Sequence, residues 1–433
     1  VDQTCQTCGG VGQPCCAGNE CGSNGSCQAG TCEQCAVDMA LGRRHSCLLK
    51  GDGSVWCFGD GKNGRLGNGA DLNSATPVQV LAAGGQAIAD ATAISVGRGH
   101  ACALRSGGSV WCWGNNGTGQ LGDGTTAVDE GKSSAVQVLK LIDNEPLVGI
   151  IAIETSNNAS CALDSGGLTW CWGNNAINQL GNNQLRYIDP QLPQLNVPLA
   201  SEVLSGVIDG NPIPLTGATT VHAGANNFCT LRDDQSVWCW GEIGKFGFGG
   251  AYAFQWHANA SRVATGRFHV CAIGPDIEGN DTLDPPILPA TDPVHCWGNN
   301  EKDRLGLKAG QANYSPTPVL VAFDGPLFEG ATDLAMGAIS CTITADKRAW
   351  CWGKNVHGQG GNGGGSKFPT LVTHRDGTPL EGVERLVTNY AGVCAYLTDG
   401  SLHCWGRNTE SQLPIATTTN IGYPTAALEV CPQ

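Results

Sequence analysis

Apolar and polar positions along this chain alternate in short bursts. Ala101-Cys102-Ala103-Leu104 and Val110-Trp111-Cys112-Trp113 are strand-length runs on either side of Arg105-Ser106-Gly107-Gly108-Ser109, a Gly- and Ser-rich turn. That arrangement predicts a β-hairpin. Within its second strand Val110 and Cys112 fall on one side, Trp111 and Trp113 on the other. A further strand is expected at Ala93-Ile94-Ser95-Val96, and another after the hairpin, where Pro77-Val78-Gln79-Val80 recurs as Pro318-Val319-Leu320-Val321 and Pro369-Thr370-Leu371-Val372. Helices are not expected, because 63 glycines interrupt nearly every stretch and each would weaken a helix. The longest apolar run, Leu147 to Ile153, is strand-sized and far short of the roughly 20 residues that cross a bilayer. No membrane span is predicted.

The hairpin recurs at a spacing that organises the whole chain. Its first cysteine is Cys47, Cys102, Cys161, Cys229, Cys271, Cys341 and Cys394; its second is Cys57, Cys112, Cys171, Cys239, Cys296, Cys351 and Cys404. Six pairs are ten residues apart and the fifth is 25 apart, while successive units begin 55, 59, 68, 42, 70 and 53 residues on. Seven units of about four strands predict an all-β chain, a seven-bladed β-propeller. One Gly-rich blade has little core of its own, so its Trp face is covered only by packing against neighbours. The expected domains are a Cys-rich module over residues 1–36 and the propeller over 37–433.

The repeated pattern is Gly-x-x-His-x-x-Ala-Leu, a turn, Val-Trp-x-Trp-Gly-x-Asn-x-x-Gly-Gln-Leu-Gly-x-Gly, most complete from Gly97 to Gly124. It resembles the repeats of the regulator of chromosome condensation family over about residues 37 to 430. The resemblance implies a seven-bladed propeller. For function it implies several options, since that family includes nuclear exchange factors, scaffolds and a secreted bacterial β-lactamase inhibitor. Short Cys-rich leaders resembling residues 1–36 accompany repeat domains in secreted proteins of predatory and social bacteria.

Twenty-three cysteines favour an oxidising, extracytoplasmic location, and the chain is read as a mature exported form because Val1 is not preceded by a basic-then-apolar leader. Opposed Cα atoms of an antiparallel hairpin lie about 4.5 to 5.5 Å apart, within disulfide reach. One staple per blade is therefore expected, with Cys271 and Cys296 joining across a bulged loop; bonds between blades or reduced core thiols are the alternatives. Cys5, Cys8, Cys15, Cys16, Cys21, Cys27, Cys32 and Cys35 crowd a leader almost without apolar residues. Crosslinks are expected to replace a core there, in preference to a zinc site built on the two Cys-x-x-Cys pairs. The odd count leaves one cysteine over. Cys431 is expected to bond a leader cysteine such as Cys35 where the first and last chain segments pair to close the ring, or to link another molecule.

A formal charge of −14 has the wrong sign for general nucleic-acid binding. No cofactor or metal is predicted. His45, His100 and His269 share one position in three units and are read as structural rather than as ligands. The Trp pairs (111 with 113, 170 with 172, 238 with 240, 350 with 352) are read as core between blades rather than sugar-stacking platforms. Gly358 to Gly365 lacks the Lys-Ser/Thr and helix of a phosphate loop, and Asp60-Gly61-Lys62-Asn63-Gly64 lacks the closing Glu of a calcium turn. Sequons at Asn24, Asn116, Asn158, Asn259, Asn280 and Asn313 allow glycosylation. Two insertions, 182–215 and the acidic 274–293 with Asp276, Glu278, Asp281, Asp284 and Asp292, are candidate binding loops. No Ser-His-Asp arrangement can be placed. The expected function is a non-enzymatic extracellular protein that self-assembles as a surface or filament subunit. A soluble propeller that binds or inhibits another protein through one face, and a glycan-binding protein, are the alternatives.

Overall fold

The computed structural model describes residues 25–28, 31–34, 36–126, 131–182, 196–208, 211–242, 253–257, 259–274, 293–307, 313–322, 328–364, 366–390, 392–415 and 417–429. Seven four-stranded antiparallel sheets, each a simple meander in chain order, form the blades. Blade 2 is typical: Ala91–Val96, His100–Arg105, Val110–Asn115 and Gly131–Gln137 run from the channel outwards. Alternating direction puts the turn between first and second strands, and the loop between third and fourth, on one face of the disc. The turn between second and third strands lies on the other face. A small hairpin, Gly25–Gln28 with Thr31–Gln34, precedes the blades.

Part of the expected insertion 182–215 is ordinary blade. Asn196–Glu202 pairs with Thr169–Asn174 as the fourth strand of blade 3, and Leu204–Ile208 with Asn211–Pro214 forms a separate hairpin. The chain reaches that fourth strand only after a long excursion, so its spacing hid it.

Every blade cysteine pair sits in register, Cys102 opposite Cys112 and so on around the ring. Their Cα atoms are 4.0–4.1 Å apart and their sulfurs at disulfide distance, including Cys271 with Cys296. A crosslink closing so short a loop stabilises by about 3 kcal/mol. The staples face forward around the ring. Cys47 and Cys57 share a core cluster with Trp113 of the next blade, Cys102 and Cys112 with Trp172, Cys161 and Cys171 with Trp240. The same holds for Cys229 and Cys239 with Trp297, Cys271 and Cys296 with Trp352, and Cys341 and Cys351 with Trp405.

Both residues of each Trp pair belong to the packing between blades, to different depths. The second is fully buried, as Trp113, Trp172, Trp240 and Trp352 show, while Trp111, Trp170, Trp238 and Trp350 are partly buried and pack against the interblade clusters. The first Trp of the strand lies next to the hairpin turn, at the edge of the blade stack. There Trp111 donates to Ser109 Oγ and Trp238 to Ser236 Oγ, beneath Arg105 and Arg232 respectively.

Ring closure also differs from expectation. The seventh blade takes all four strands from 383–429 and the first all four from 36–79, so no sheet is shared between chain ends. Side chains close the seam instead. Cys394, Cys404, Tyr396 and Leu413 pack on Met39, Leu48 and Phe58; Arg385 pairs with Asp38 at 2.6 Å; and Ser46 Oγ donates to the Gln412 carbonyl at 2.7 Å. Phe58 stands where other blades carry the buried Trp. Cys35 and Cys431 lie outside the described residues.

Candidate functional site

A repeated latch joins consecutive blades beside the channel. The indole N–H of Trp172 donates to the carbonyl of Gln120 in the preceding blade at 2.9 Å. Trp113, Trp352 and Trp405 do the same to Arg65, Arg304 and Gln359. Ser160 Oγ donates to that Gln120 carbonyl and therefore accepts from His100 Nε2 at 2.8 Å. His269, Ser340 and the Arg304 carbonyl repeat the arrangement. Gly122, at φ +72°, lies under the indole, where a Cβ would come within 2.9 Å of Trp172 and 2.8 Å of Val138. The histidines are thus parts of an interblade latch. His45 has no such partner, because Ala101 occupies the place of Ser160. Burial holds all three imidazoles down at about 3, so they are neutral at pH 7; Arg65 and then His100 add to the effect at His45, and Arg304 at His269.

Asp60, weighed as a calcium turn, is committed elsewhere. Its carboxylate takes Arg65 at 2.7 Å, Arg44 at 3.3 Å and the Lys62 amide. No group of three or more His, Cys, Asp or Glu suited to a metal occurs among the described residues. Asp276, Glu278, Asp281 and Asp284 lie outside them.

The first strands of all seven blades surround one axial channel, a cavity of about 560 Å³. Its wall is sparsely charged. Asp38 pairs with Arg385, and Glu154 is hydrogen-bonded to Ser95 at 3.3 Å. Burial raises the Glu154 carboxyl to about 7 and lowers His222, on the next blade, to about 4.

One mouth of the channel is different in kind. Arg43, Arg98 and Arg267 occupy the same position in blades 1, 2 and 5, two residues before the latch histidine, and all three line the channel with Tyr390. The Tyr390 ring lies 4.6 Å from the Arg43 guanidinium, 4.3 Å from that of Arg267 and 5.8 Å from the Lys354 ammonium. Arg267 also donates to the Tyr390 hydroxyl. Arg304 stacks towards Phe268 from the neighbouring loop. Among the described residues no carboxylate pairs with Arg43, Arg98, Arg267, Arg304 or Lys354. Partial burial, then repulsion from Arg43, Arg44 and Arg267, pushes Arg98 below its usual range. Lys354 is lowered by partial burial and by Arg267 and Arg304, against the pull of Tyr390. The buried Nε atoms of Arg43, Arg267 and Arg304 have no acceptor.

This basic arc belongs to a chain with net charge −14. The hairpin turns of the opposite face carry mixed charge, with Asp52, Asp233, Asp234, Asp346 and Asp399 beside Lys50, Arg105, Arg232, Lys347 and Arg348. Clustered, uncompensated cations oppose folding, and a concave site of one sign attracts ligands of the other. The sequence did carry a signal for the arc, Arg recurring two residues before His45, His100 and His269. Overall acidity obscured it.

Comparison with known proteins agrees with this architecture. The family model for the regulator of chromosome condensation (RCC1) repeat matches residues 52–104 and 107–163, and a second model of the repeat matches 36–65 and 91–120. Human E3 ubiquitin-protein ligase HERC2 is 26% identical over 355 residues, which is 80% of this chain and 6% of HERC2. The RCC2 homolog of Danio rerio is 27% identical over 208 residues, 46% of this chain and 39% of that protein. The chain therefore spans well under half the length of these relatives. Among solved structures, yeast RCC1 (Prp20) bound to Kap60 superposes with a TM-score of 0.65 at 17% identity, covering 91% of this chain and 85% of that one. Prp20p from Saccharomyces cerevisiae, described with its binding to Gsp1p and histones, gives 0.64 at 17% identity, covering 90% and 87%. At that identity the likeness is one of fold. Residues 36–163 thus carry matches to the RCC1 repeat, and the chain has the fold of the RCC1 structures, a seven-bladed propeller with one cysteine pair in every blade.

Proposed function

We propose that the protein is a non-enzymatic, extracellular interaction module that engages a protein partner through the face bearing the arginine-lined channel mouth. The observation that carries this reading is the mouth itself. Arg43, Arg267 and Lys354 lie over Tyr390, with Arg98 beside them on the channel wall and no carboxylate partner among the described residues, on a chain with carboxylates in excess. Arginine and tyrosine are the side chains that most often anchor interfaces, and residues at turns on a rigid scaffold are where binding usually resides. Yeast Prp20, of the same fold, is described as binding proteins. Seven cysteine pairs at disulfide distance support an oxidising compartment.

A photo-cross-linking residue placed at Asn157, on the channel mouth, and at Asp346, on the opposite face, tests the assignment. Partner adducts are expected from position 157 and not from position 346. Adducts confined to position 346 would refute the choice of face.

A further inference from the structure

The occupant of the mouth can be argued from charge and topology. Residues 275–292 contain Asp276, Glu278, Asp281, Asp284 and Asp292, with no Lys or Arg. The segment leaves the fifth blade after Ile273 and rejoins it before Val294, between its second and third strands. It therefore departs from the face opposite the arginines, since Arg267 and Phe268 lie at the other end of the same strand. Eighteen residues going out and back reach about 30 Å, at roughly 3.3 Å per residue, enough to enter the mouth of a propeller stacked below. Four prolines in the segment reduce the entropy lost on docking.

Resting on the reading of the mouth as a protein-docking site, we propose that it receives the acidic segment 275–292 of a second copy of this chain, joining propellers head to tail. Two features of the mouth favour this occupant over a long polyanion. Beyond the arc the charges of the same face are largely paired, Asp60 with Arg44 and Arg65 and Glu410 with Arg407, so the attraction is concentrated at the mouth and suits a short acidic segment better than a sulfated glycan or nucleic acid. The arc, with Arg43 and Arg267 partly buried and Arg98 exposed, also surrounds an opening lined by all seven blades, which suits a single extended segment. The aspartates of the opposite face are poorer candidates. Asp52, Asp234 and Asp399 already accept hydrogen bonds in their own turns, and those turns lie further from the axis than the arginines. Because the donor segment and the receiving mouth are different surfaces, the contact is heterologous and does not close on itself.

The test uses the full chain and three additions. A labelled peptide of residues 275–292 is titrated onto wild type, onto Arg98→Gln alone, and onto Arg43→Gln/Arg98→Gln/Arg267→Gln. Affinity is expected to fall about tenfold or more in the triple variant and to weaken with added salt. Arg98 is exposed, so its single variant guards against misfolding as the cause. In sedimentation at low salt, wild type is expected to form chains of increasing length. The triple variant is expected to be monomeric, as is a loop variant carrying Asp276→Asn, Glu278→Gln, Asp281→Asn and Asp284→Asn. Mixing the two monomeric variants is expected to give a one-to-one dimer and nothing larger, because each supplies what the other lacks. Wild type that stays monomeric, or a peptide that binds all three proteins equally, would overturn the proposal. If wild type stays monomeric and a hexaglutamate peptide still binds only where the arginines are intact, the second-copy assignment fails. The docking face then stands with an acidic segment of another protein as its occupant.

Discussion

Acidifying the protein from pH 7 to pH 5 will destabilise the propeller by about 2 kcal/mol for each of His45, His100 and His269, about 6 kcal/mol together. The sign follows from burial. Each imidazole is held at about 3 in the folded chain, against roughly 6.5 when unfolded. As pH falls below 6.5 the unfolded chain takes up a proton that the folded chain refuses. The stability is fully present above 6.5 and is lost progressively down to about 3. Channel groups oppose one another over this window. Glu154, raised to about 7, and Asp333, also raised by burial, favour the folded state as pH falls, whereas His222, lowered to about 4, disfavours it. The three latch-position histidines therefore set the trend. Urea unfolding at pH 7 and pH 5 measures it, and His100→Gln should remove about one third of the difference. A stability that is flat between those pH values would contradict the burial of neutral histidine at these positions.

Truncating Trp172 to alanine will cost about 4 kcal/mol, whereas the same change at Trp170, two residues away, will cost roughly 1 to 2 kcal/mol. Trp172 is fully buried between blades 2 and 3 and packs with the Cys102–Cys112 pair. Its loss opens a cavity that the facing strands, held in register by their staples, cannot readily collapse. It also removes one of two donors to the Gln120 carbonyl. Trp170 packs only at the margin of the same cluster, partly open to solvent, and its indole reaches Asp164, so water can fill much of its place. Chemical denaturation of both variants reads the contrast. Equal losses would mean that both indoles, not one, form the joint between blades.

The fold was legible because its information is periodic. The hairpin and its cysteine pair recur seven times, six of them at the same ten-residue spacing, and repetition fixes blade number independently of any single strand. What was not legible depends on relations between units. The partial burial of Trp111 beside the full burial of Trp113 is set by how far each lies from the disc edge, which strand alternation does not encode. Closure by Phe58, Asp38–Arg385 and Ser46–Gln412 depends on which chain ends meet after seven rotations. The fourth strand of blade 3 lay hidden because 21 residues separate Asn174 from Asn196, against 15 between Asn115 and Gly131 in blade 2.

The site was legible only in fragments. Gly42-Arg43, Gly97-Arg98 and Gly266-Arg267 share a repeat position, and repeat position translates into a shared ring around the axis. Tyr390 joins them from a unit whose sequence departs from the pattern, and Lys354 and Arg304 arrive from a different loop. Their convergence is a property of ring geometry. The acidic segment 275–292 stood out by composition, and the fold supplies the one fact composition lacks, namely the face it leaves from.

The proposed extracellular role requires an oxidised propeller with one crosslink inside every blade. Its most direct test is a peptide map of the protein taken from its native source, with free thiols alkylated before any reduction. Seven linked pairs are predicted: Cys47–Cys57, Cys102–Cys112, Cys161–Cys171, Cys229–Cys239, Cys271–Cys296, Cys341–Cys351 and Cys394–Cys404. Recovery of these fourteen cysteines in alkylated form, or joined between blades, would contradict both the stapled fold and the extracellular role.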